Sequence, residues 1–370
     1  MTEEVLFEER ETASGLKLGI VTLNVEKTLN SLTLNMVEQM LTTLSDWRQR
    51  SEIACVFIRG AGDKAFCAGG DVQALYRSAV EKPGGPCEYA ERFFEVEYRV
   101  DYLIHQMGKP VIVWGHGIVM GGGMGIFAGG SYRVVTEKSR LAMPEITIGL
   151  YPDVGGSYFL NRTPGSAGLF LALTGVPFNA ADALYLGMAE SFIQHERLDA
   201  VLEALVDTPW STGVGDNHER VLELMRSFAE QSAGALPEGN VEAQAAAIDG
   251  LCDQADDTAL IDAIINLDSD NPWLQKASAT LAAGSMLSAS LIPAQLRRCA
   301  DMNLKDVFQQ ELVTSTNTVR HPEFAEGVRA LLIDKDRNPQ WRYATAADVP
   351  AEEIDARLTA PWDSNPLADI

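Results

Sequence analysis

The sequence predicts an α/β fold followed by a mainly helical C-terminal region, and three observations carry that expectation. Short β-rich runs alternate with helical periodicity through the first 136 residues. That alternation favours a parallel core with right-handed crossovers. Beyond about Ser157 the strand signals thin out and helical periodicity takes over. Finally, 370 residues with 46% hydrophobic and 22% charged content are ordinary globular composition, with enough chain for a large core.

The elements follow in order. Val5–Glu9 and Leu16–Leu23 flank a polar turn at Gly15 and read as a hairpin. Thr33 to Arg48 places Leu34, Val37, Met40, Leu41 and Leu44 at helical spacing. Ile53–Arg59 is a strand ending at Gly60, and the loop AGDKAFCAGGD leads to a helix near Val72. A longer helix covers Tyr89 to Gln106. Val111–Trp114 and Tyr132–Thr136 are strands on either side of GHGIVMGGGMGIFAGG. Ser166–Thr174, Ala180–Leu186, His218–Ala229 and Ala243–Cys252 read as helices, as does much of Thr258 to Leu312. The polar break Asp207–Asn217 is the best linker, which divides the chain into 1–206 and a helical 207–370.

Charge and special residues exclude several classes. Lys plus Arg number 29 against 52 Asp plus Glu, a net charge of −23. A chain this acidic is repelled by nucleic acid and by anionic membranes. Cys55, Cys67, Cys87, Cys252 and Cys299 are odd in number, scattered and without a C-x-x-C pair, so reduced thiols in a cytoplasmic protein are expected. His105, His116, His195, His218 and His321 show no metal-ligand spacing. The acidic N-terminus MTEEVLFEER resembles neither a secretory signal nor a transit peptide. No apolar run reaches the roughly 18 residues of a membrane span.

Three segments can carry chemistry. Lys64-Ala65-Phe66-Cys67-Ala68-Gly69-Gly70-Asp71 lies between strand and helix, where paired glycines leave N–H groups open to an anion or a developing oxyanion. An ordinary strand-to-helix turn is the plain alternative. Met120-Gly121-Gly122-Gly123-Met124-Gly125 again allows close backbone approach. It also contains the weak dinucleotide pattern Gly123-x-Gly125-x-x-Ala128, but too little chain follows for a crossover helix. In the third, Glu145 and Asp153 stand eight residues apart in an apolar stretch running from Ala142 to Gly156. Acids in such surroundings are costly unless paired, and catalytic acids occupy such places. Structural carboxylates are the alternative, and for Asp153 a helix cap. Neither a G-x-S-x-G elbow nor a Walker A loop is present.

Together, in this order and spacing, these segments resemble the enoyl-CoA hydratase/isomerase (crotonase) superfamily over roughly Val5 to Thr174. The Glu97-Tyr98 helix before Lys109-Pro110, the run PEITIGLYPDVGGSYFL and the distal EGVRALLIDKDRNPQW (Glu326–Trp341) resemble its 3-hydroxyisobutyryl-CoA hydrolase branch. The resemblance implies a spiral of ββα units with a helical C-terminal part. It implies an acyl-CoA substrate held by Ala68, Gly70, Asp71, Gly122 and Glu97, with no separate cofactor. Gly70 and Gly122 supply the oxyanion hole, and Glu145 and Asp153 the acid–base or nucleophilic chemistry. Family hydratases use a glutamate two residues after the glycine triplet, and here that position is Gly125. The expected activity is therefore thioester hydrolysis, with enoyl-CoA hydration or non-catalytic acyl-CoA binding as alternatives. Lys27, Lys64, Arg329 and Lys335 are candidates for the CoA phosphates, and a homo-oligomer is compatible with the resemblance.

Overall fold

The hairpin forms as expected, and its two strands are buried differently. β1 (Val5–Glu11) exposes most of its side chains, whereas β2 (Lys17–Leu23) is buried from Leu18 onward. They pair antiparallel from Val5 opposite Leu23 to Glu11 opposite Lys17. This computed structural model describes residues 3–370. The first helix, α1 (Leu34–Gln49), is capped by Thr33, whose side chain accepts from the Met36 N–H. It buries Met36, Val37, Met40, Leu44 and Trp47. A Cβ on Gly19 would lie 2.7 Å from the Trp47 ring, so glycine is what lets helix and strand pack that closely.

From there the chain repeats one pattern. β3 (Ile53–Gly60) joins the large sheet and β4 (Ala65–Cys67) a small one, followed by α2 (Val72–Glu81) and α3 (Glu88–His105). β5 (Val111–Gly115) and β6 (Ile118–Met120) do the same before α4 (Gly122–Gly129). β7 (Tyr132–Val135) and β8 (Arg140–Ala142) complete the third turn, and β9 (Ser191–Phe192) closes the edge. The large sheet runs β1-β2-β3-β5-β7-β9, parallel apart from the hairpin, and the small one β4-β6-β8. This is the expected ββα spiral. One detail differs. The segment read as a loop before α2 contains β4, whose three residues are all buried. A three-residue strand is too short to show a period, and its partners lie some fifty positions away at Ile118 and Val119.

Compactness divides the chain in an interleaved way, unlike the sequential cut after residue 206. One unit comprises Met1–Gly70, Arg99–Leu141 and Phe178–Asn240, and the other Asp71–Tyr98, Ala142–Pro177 and Val241–Ile370. The polar break Asp207–Asn217 lies wholly inside the first unit. Trp210 is buried there with Leu18, Phe57, Trp114 and Val134, and its Nε1–H donates to the Leu205 carbonyl at 2.8 Å. Asn217 exchanges hydrogen bonds with the Ser211 backbone at the start of helix Val214–Ser232. Polar and glycine-rich composition marks a turn here, held at its centre by a core tryptophan.

The second unit is mostly helical. Its expected helices appear as Ala167–Thr174, Ala245–Cys252, Asp257–Ile265, Pro272–Ala283, Met286–Cys299 and Leu304–Val319. In the first unit, Ala180–Tyr185 and Val214–Ser232 match two more. Helix Leu304–Val319 is unusual because its buried residues include Gln310, Glu311, Thr314, Ser315, Thr316 and Thr318. So much buried polarity demands internal partners. Among the described residues no single helix is long and apolar enough to cross a membrane.

Candidate active site

The glycine segments meet within the first unit. Gly69 has φ +109° and Gly121 φ +52°, conformations that glycine adopts freely. A Cβ on Gly69 would stand 3.3 Å from the Met120 carbonyl oxygen and 3.6 Å from the Gly122 nitrogen. A Cβ on Gly123 would lie 2.4 Å from the Cys67 carbonyl oxygen, an impossible contact, so only glycine lets α4 start against the end of β4. Gly122 is the first residue of that helix. Its N–H therefore has no intrahelical acceptor and points with the positive end of the helix dipole. Among the hydrogen bonds of the described residues, neither the Gly70 nor the Gly122 N–H has an acceptor. Ala68 differs, since its N–H donates to the Leu29 carbonyl at 3.0 Å.

The acids meet within the second unit. Glu145 opens the 3₁₀ turn Glu145–Ile148 and is 4% exposed, with no hydrogen-bond partner for Oε2. Burial pushes its carboxyl well above the usual range, and the neighbouring Asp153 charge adds to the effect. Asp153, also 4% exposed, is pushed up to about 6 by burial, against the opposing hydrogen bond from Tyr98. The Tyr98 hydroxyl lies 2.5 Å from Asp153 Oδ2 and 2.6 Å from Ser315 Oγ. Ser315 Oγ is 3.0 Å from the Tyr151 hydroxyl, which donates to the Glu311 carbonyl at 2.9 Å.

The Glu311 carboxylate fixes the loop beyond Asp153. Its two oxygens accept from the Gly155 and Ser157 N–H groups at 2.7 and 2.8 Å. Burial pushes the Glu311 carboxyl up to about 8, and those two amides pull the other way. Between Asp153 and Gly155, Val154 has φ +52°, a left-handed conformation that a β-branched residue adopts only under constraint. Tyr98, Tyr151, Glu311 and Ser315 thus belong to the site although the sequence reading assigned them no role. The available signal was the run of Ser, Thr and Gln on an otherwise helical stretch.

The other expected site residues fall as follows. Glu97 is buried, one residue before Tyr98 on α3. Asp71 caps α2, its carboxylate accepting from the Ala74 N–H at 3.1 Å. Lys27 and Lys64 come together at a cleft of ≈ 240 Å³ that Asn30 and Leu29 also line. Arg329 is engaged by Glu326, Asp334 and Asp336, which compensate its charge and leave it a poor phosphate ligand. A separate cavity of ≈ 460 Å³ in the second unit is lined by residues such as Tyr76, Val80, His321 and Arg342, and not by the three acids. Among the described residues no group of three or more His, Cys, Asp or Glu is placed to hold a metal ion.

Comparison with known proteins decides the family. The pattern described as enoyl-CoA hydratase/isomerase matches residues 18–358. The chain belongs to the enoyl-CoA hydratase/isomerase family. Among curated members, the chain is 40% identical to "3-hydroxyisobutyryl-CoA hydrolase, mitochondrial" of Danio rerio, over 95% of this chain and 88% of that protein. The Homo sapiens protein of the same description is 35% identical over 95% and 87%. Both are described as mitochondrial, and the cytoplasmic placement expected from the scattered, unpaired cysteines finds no support in them. Among solved family structures, a carnitinyl-CoA dehydratase from Mycobacterium thermoresistibile superposes with a TM-score of 0.85 at 34% identity, covering 99% of this chain and 98% of that one. An enoyl-CoA hydratase from Rhodobacter sphaeroides 2.4.1 gives 0.82 at 29% identity, covering 97% and 98%. The crotonase fold therefore extends over the helical C-terminal region as well as the spiral.

Proposed function

We propose that this protein hydrolyses the thioester of a 3-hydroxyacyl-CoA, with 3-hydroxyisobutyryl-CoA as its substrate, releasing 3-hydroxyisobutyrate and free CoA in valine breakdown. The observation that carries this reading is the buried acid pair Glu145 and Asp153 in a chain that has Gly125, buried inside α4, where hydratases of the family hold their other glutamate. Hydration across a double bond needs one group to activate water and another to protonate carbon. Thioester hydrolysis needs an oxyanion hole and one acid–base pair.

In this reading the Gly70 and Gly122 N–H groups hold the thioester oxygen as it gains charge. Dipoles already in place need no reorganisation at that moment, and one such donor is worth about 10²–10³ in rate. Glu145 attacks the carbonyl carbon to give a mixed anhydride, or takes the proton of the attacking water. Label from isotopic water entering Glu145 in a single turnover marks the anhydride route. Asp153 handles the proton of the departing thiol. Glu97 contacts the hydroxyacyl end, and Lys27 and Lys64 meet CoA phosphates at their cleft.

The deciding experiment is an acyl-CoA panel with thiol release and enoyl absorbance followed in parallel. Free CoA should appear from 3-hydroxyisobutyryl-CoA, with slow or no loss of crotonyl-CoA absorbance. The two superposing structures, a carnitinyl-CoA dehydratase and an enoyl-CoA hydratase, favour a hydratase as second reading. Fast enoyl hydration without thiol release from any hydroxyacyl-CoA would establish it instead.

A further inference from the structure

Glu145 is placed by the backbone that carries it. Among the described residues no side chain of another element bonds its carboxyl, so the group goes where the 3₁₀ turn Glu145–Ile148 puts it. Two later elements grip that turn. Just before helix Met286–Cys299, the Ser285 N–H donates to the Ile146 carbonyl at 3.2 Å, and a Cβ on Gly284 would lie 2.8 Å from Ile146 Cγ1. On helix Pro322–Val328, a Cβ on Gly327 would lie 2.6 Å from Ile148 Cα. The Glu323 carbonyl oxygen stands 2.6 Å from where a Cβ on Gly149 would be. Both elements therefore press on the backbone of the turn.

The two grips meet at one side chain. Glu323 is 3% exposed, and its carboxyl oxygens accept from both flanks. Oε2 takes the Ser285 hydroxyl proton, while Ser285 Oγ itself accepts from the Ser288 N–H at 3.1 Å. Oε1 accepts from the Arg342 N–H at 2.8 Å. Next to Arg342, the Trp341 ring lies 2.8 Å from where a Gly327 Cβ would be, and its Nε1–H donates to the Ala283 carbonyl at 2.9 Å. Segment 340–342 thereby straps helix Pro322–Val328 to the start of helix Met286–Cys299. Losing either donor would leave a buried Glu323 oxygen unsatisfied. We infer that Glu323 is a positioning residue of the reaction, which sets Glu145 against the substrate by tying Ser285 to the distal segment 340–342. The inference rests on the reading above that Glu145 is a reacting group. Among the described residues Glu323 makes no hydrogen bond to Glu145 or Asp153, so it acts through the turn's backbone.

The test measures kcat and KM of full-length variants on the acyl-CoA that the wild type turns over best, with thermal midpoints alongside. Glu323→Leu removes both bonds, and kcat should fall by about 10²-fold, the cost of misplacing a reacting group by about 1 Å, with KM little changed. Glu323→Gln keeps an oxygen for the Arg342 N–H and an amide that can donate to Ser285 Oγ, so it should recover most of the loss. Gly327→Ala leaves every polar bond in place and pushes a methyl against Ile148, so kcat should fall again. It carries the test if Glu323→Leu does not fold. The control is Asp182→Asn. Asp182 is also a buried carboxyl that accepts two backbone N–H groups, from Asn179 and Asn240, but it belongs to the first unit. Its loss should lower the thermal midpoint and spare kcat. Unchanged kcat in folded Glu323→Leu or Gly327→Ala overturns the inference, as does an equal loss of kcat in Asp182→Asn. A rise in KM alone overturns it too, because Glu323 and Arg342 line the ≈ 460 Å³ cavity and would then be ligand contacts. The hydrolase reading fails separately, when the wild type consumes enoyl-CoA and releases no thiol. The same variants then slow hydration if the inference holds.

Discussion

In the glycine loops the groups proposed to act are backbone amides, while in the network around Asp153 they are side chains. The loops are shaped by what is missing. Gly69 and Gly123 have no room or no favourable conformation for a Cβ, and the Gly70 and Gly122 N–H groups keep no acceptor among the described residues. The network depends on what is supplied from afar, with Tyr98 and Ser315 touching across 217 positions. Neutral amides are insensitive to pH. Buried carboxyls are not, because burial and mutual repulsion set their protonation.

Three experiments sharpen this contrast, beginning with the largest effect. Gly122→Pro removes one donor at the first residue of α4, where proline is tolerated in helices. Turnover should fall by about 10²–10³, the worth of one oxyanion donor, at every pH, with the circular dichroism of the wild type. A folded variant with full activity would falsify the role of this loop. Glu145→Gln keeps size and loses basicity, so thioester turnover should fall by at least about 10² while CoA affinity, measured by calorimetry, is largely kept. Retained turnover would remove Glu145 as base or nucleophile.

The third experiment reads Asp153 through stability. Its carboxyl is raised from 3.8 to about 6 in the folded protein. Between those values the folded state holds a proton that the unfolded chain has released. The contribution of this group to stability is therefore greatest below about 4 and declines as pH rises through about 6. Asp153→Asn abolishes that decline. Relative to wild type, the variant should gain on the order of 3 kcal/mol between about pH 4 and pH 7, from urea midpoints at each pH. A difference that stays constant over this range means that Asp153 is not raised by its surroundings.

The same contrast explains how much could be read from sequence. The hairpin, α1, α3 and the strands at residues 53, 111 and 132 announced themselves by period, and each appears within a few residues of its expected bounds. Gly70 and Gly122 were legible because consecutive glycines after a strand have few other uses. Glu145 and Asp153 stood out as acids among apolar neighbours. β4 escaped because three residues carry no period. Asp207–Asn217 was misread as a linker because composition reports turns and does not report that Trp210 sits in a core. The Tyr98–Ser315–Tyr151 chain escaped for a deeper reason. Hydroxyl and carbonyl partners separated by 160 positions or more become a site only when tertiary structure aligns them.

The hold of Glu311 on the loop after Asp153 also has a consequence for the order in which the protein is made. Gly155 and the carboxylate that accepts from it are 156 positions apart. At about 5–20 residues per second, a ribosome takes on the order of ten seconds or more to add that stretch. Throughout that interval the nascent chain already contains both glycine loops and both acids, and it lacks the acceptor that keeps Val154 left-handed. The donor loops can form early. The acid loop reaches its working shape only after helix Leu304–Val319 has emerged and docked, so the last third of translation separates a folded spiral from a finished enzyme.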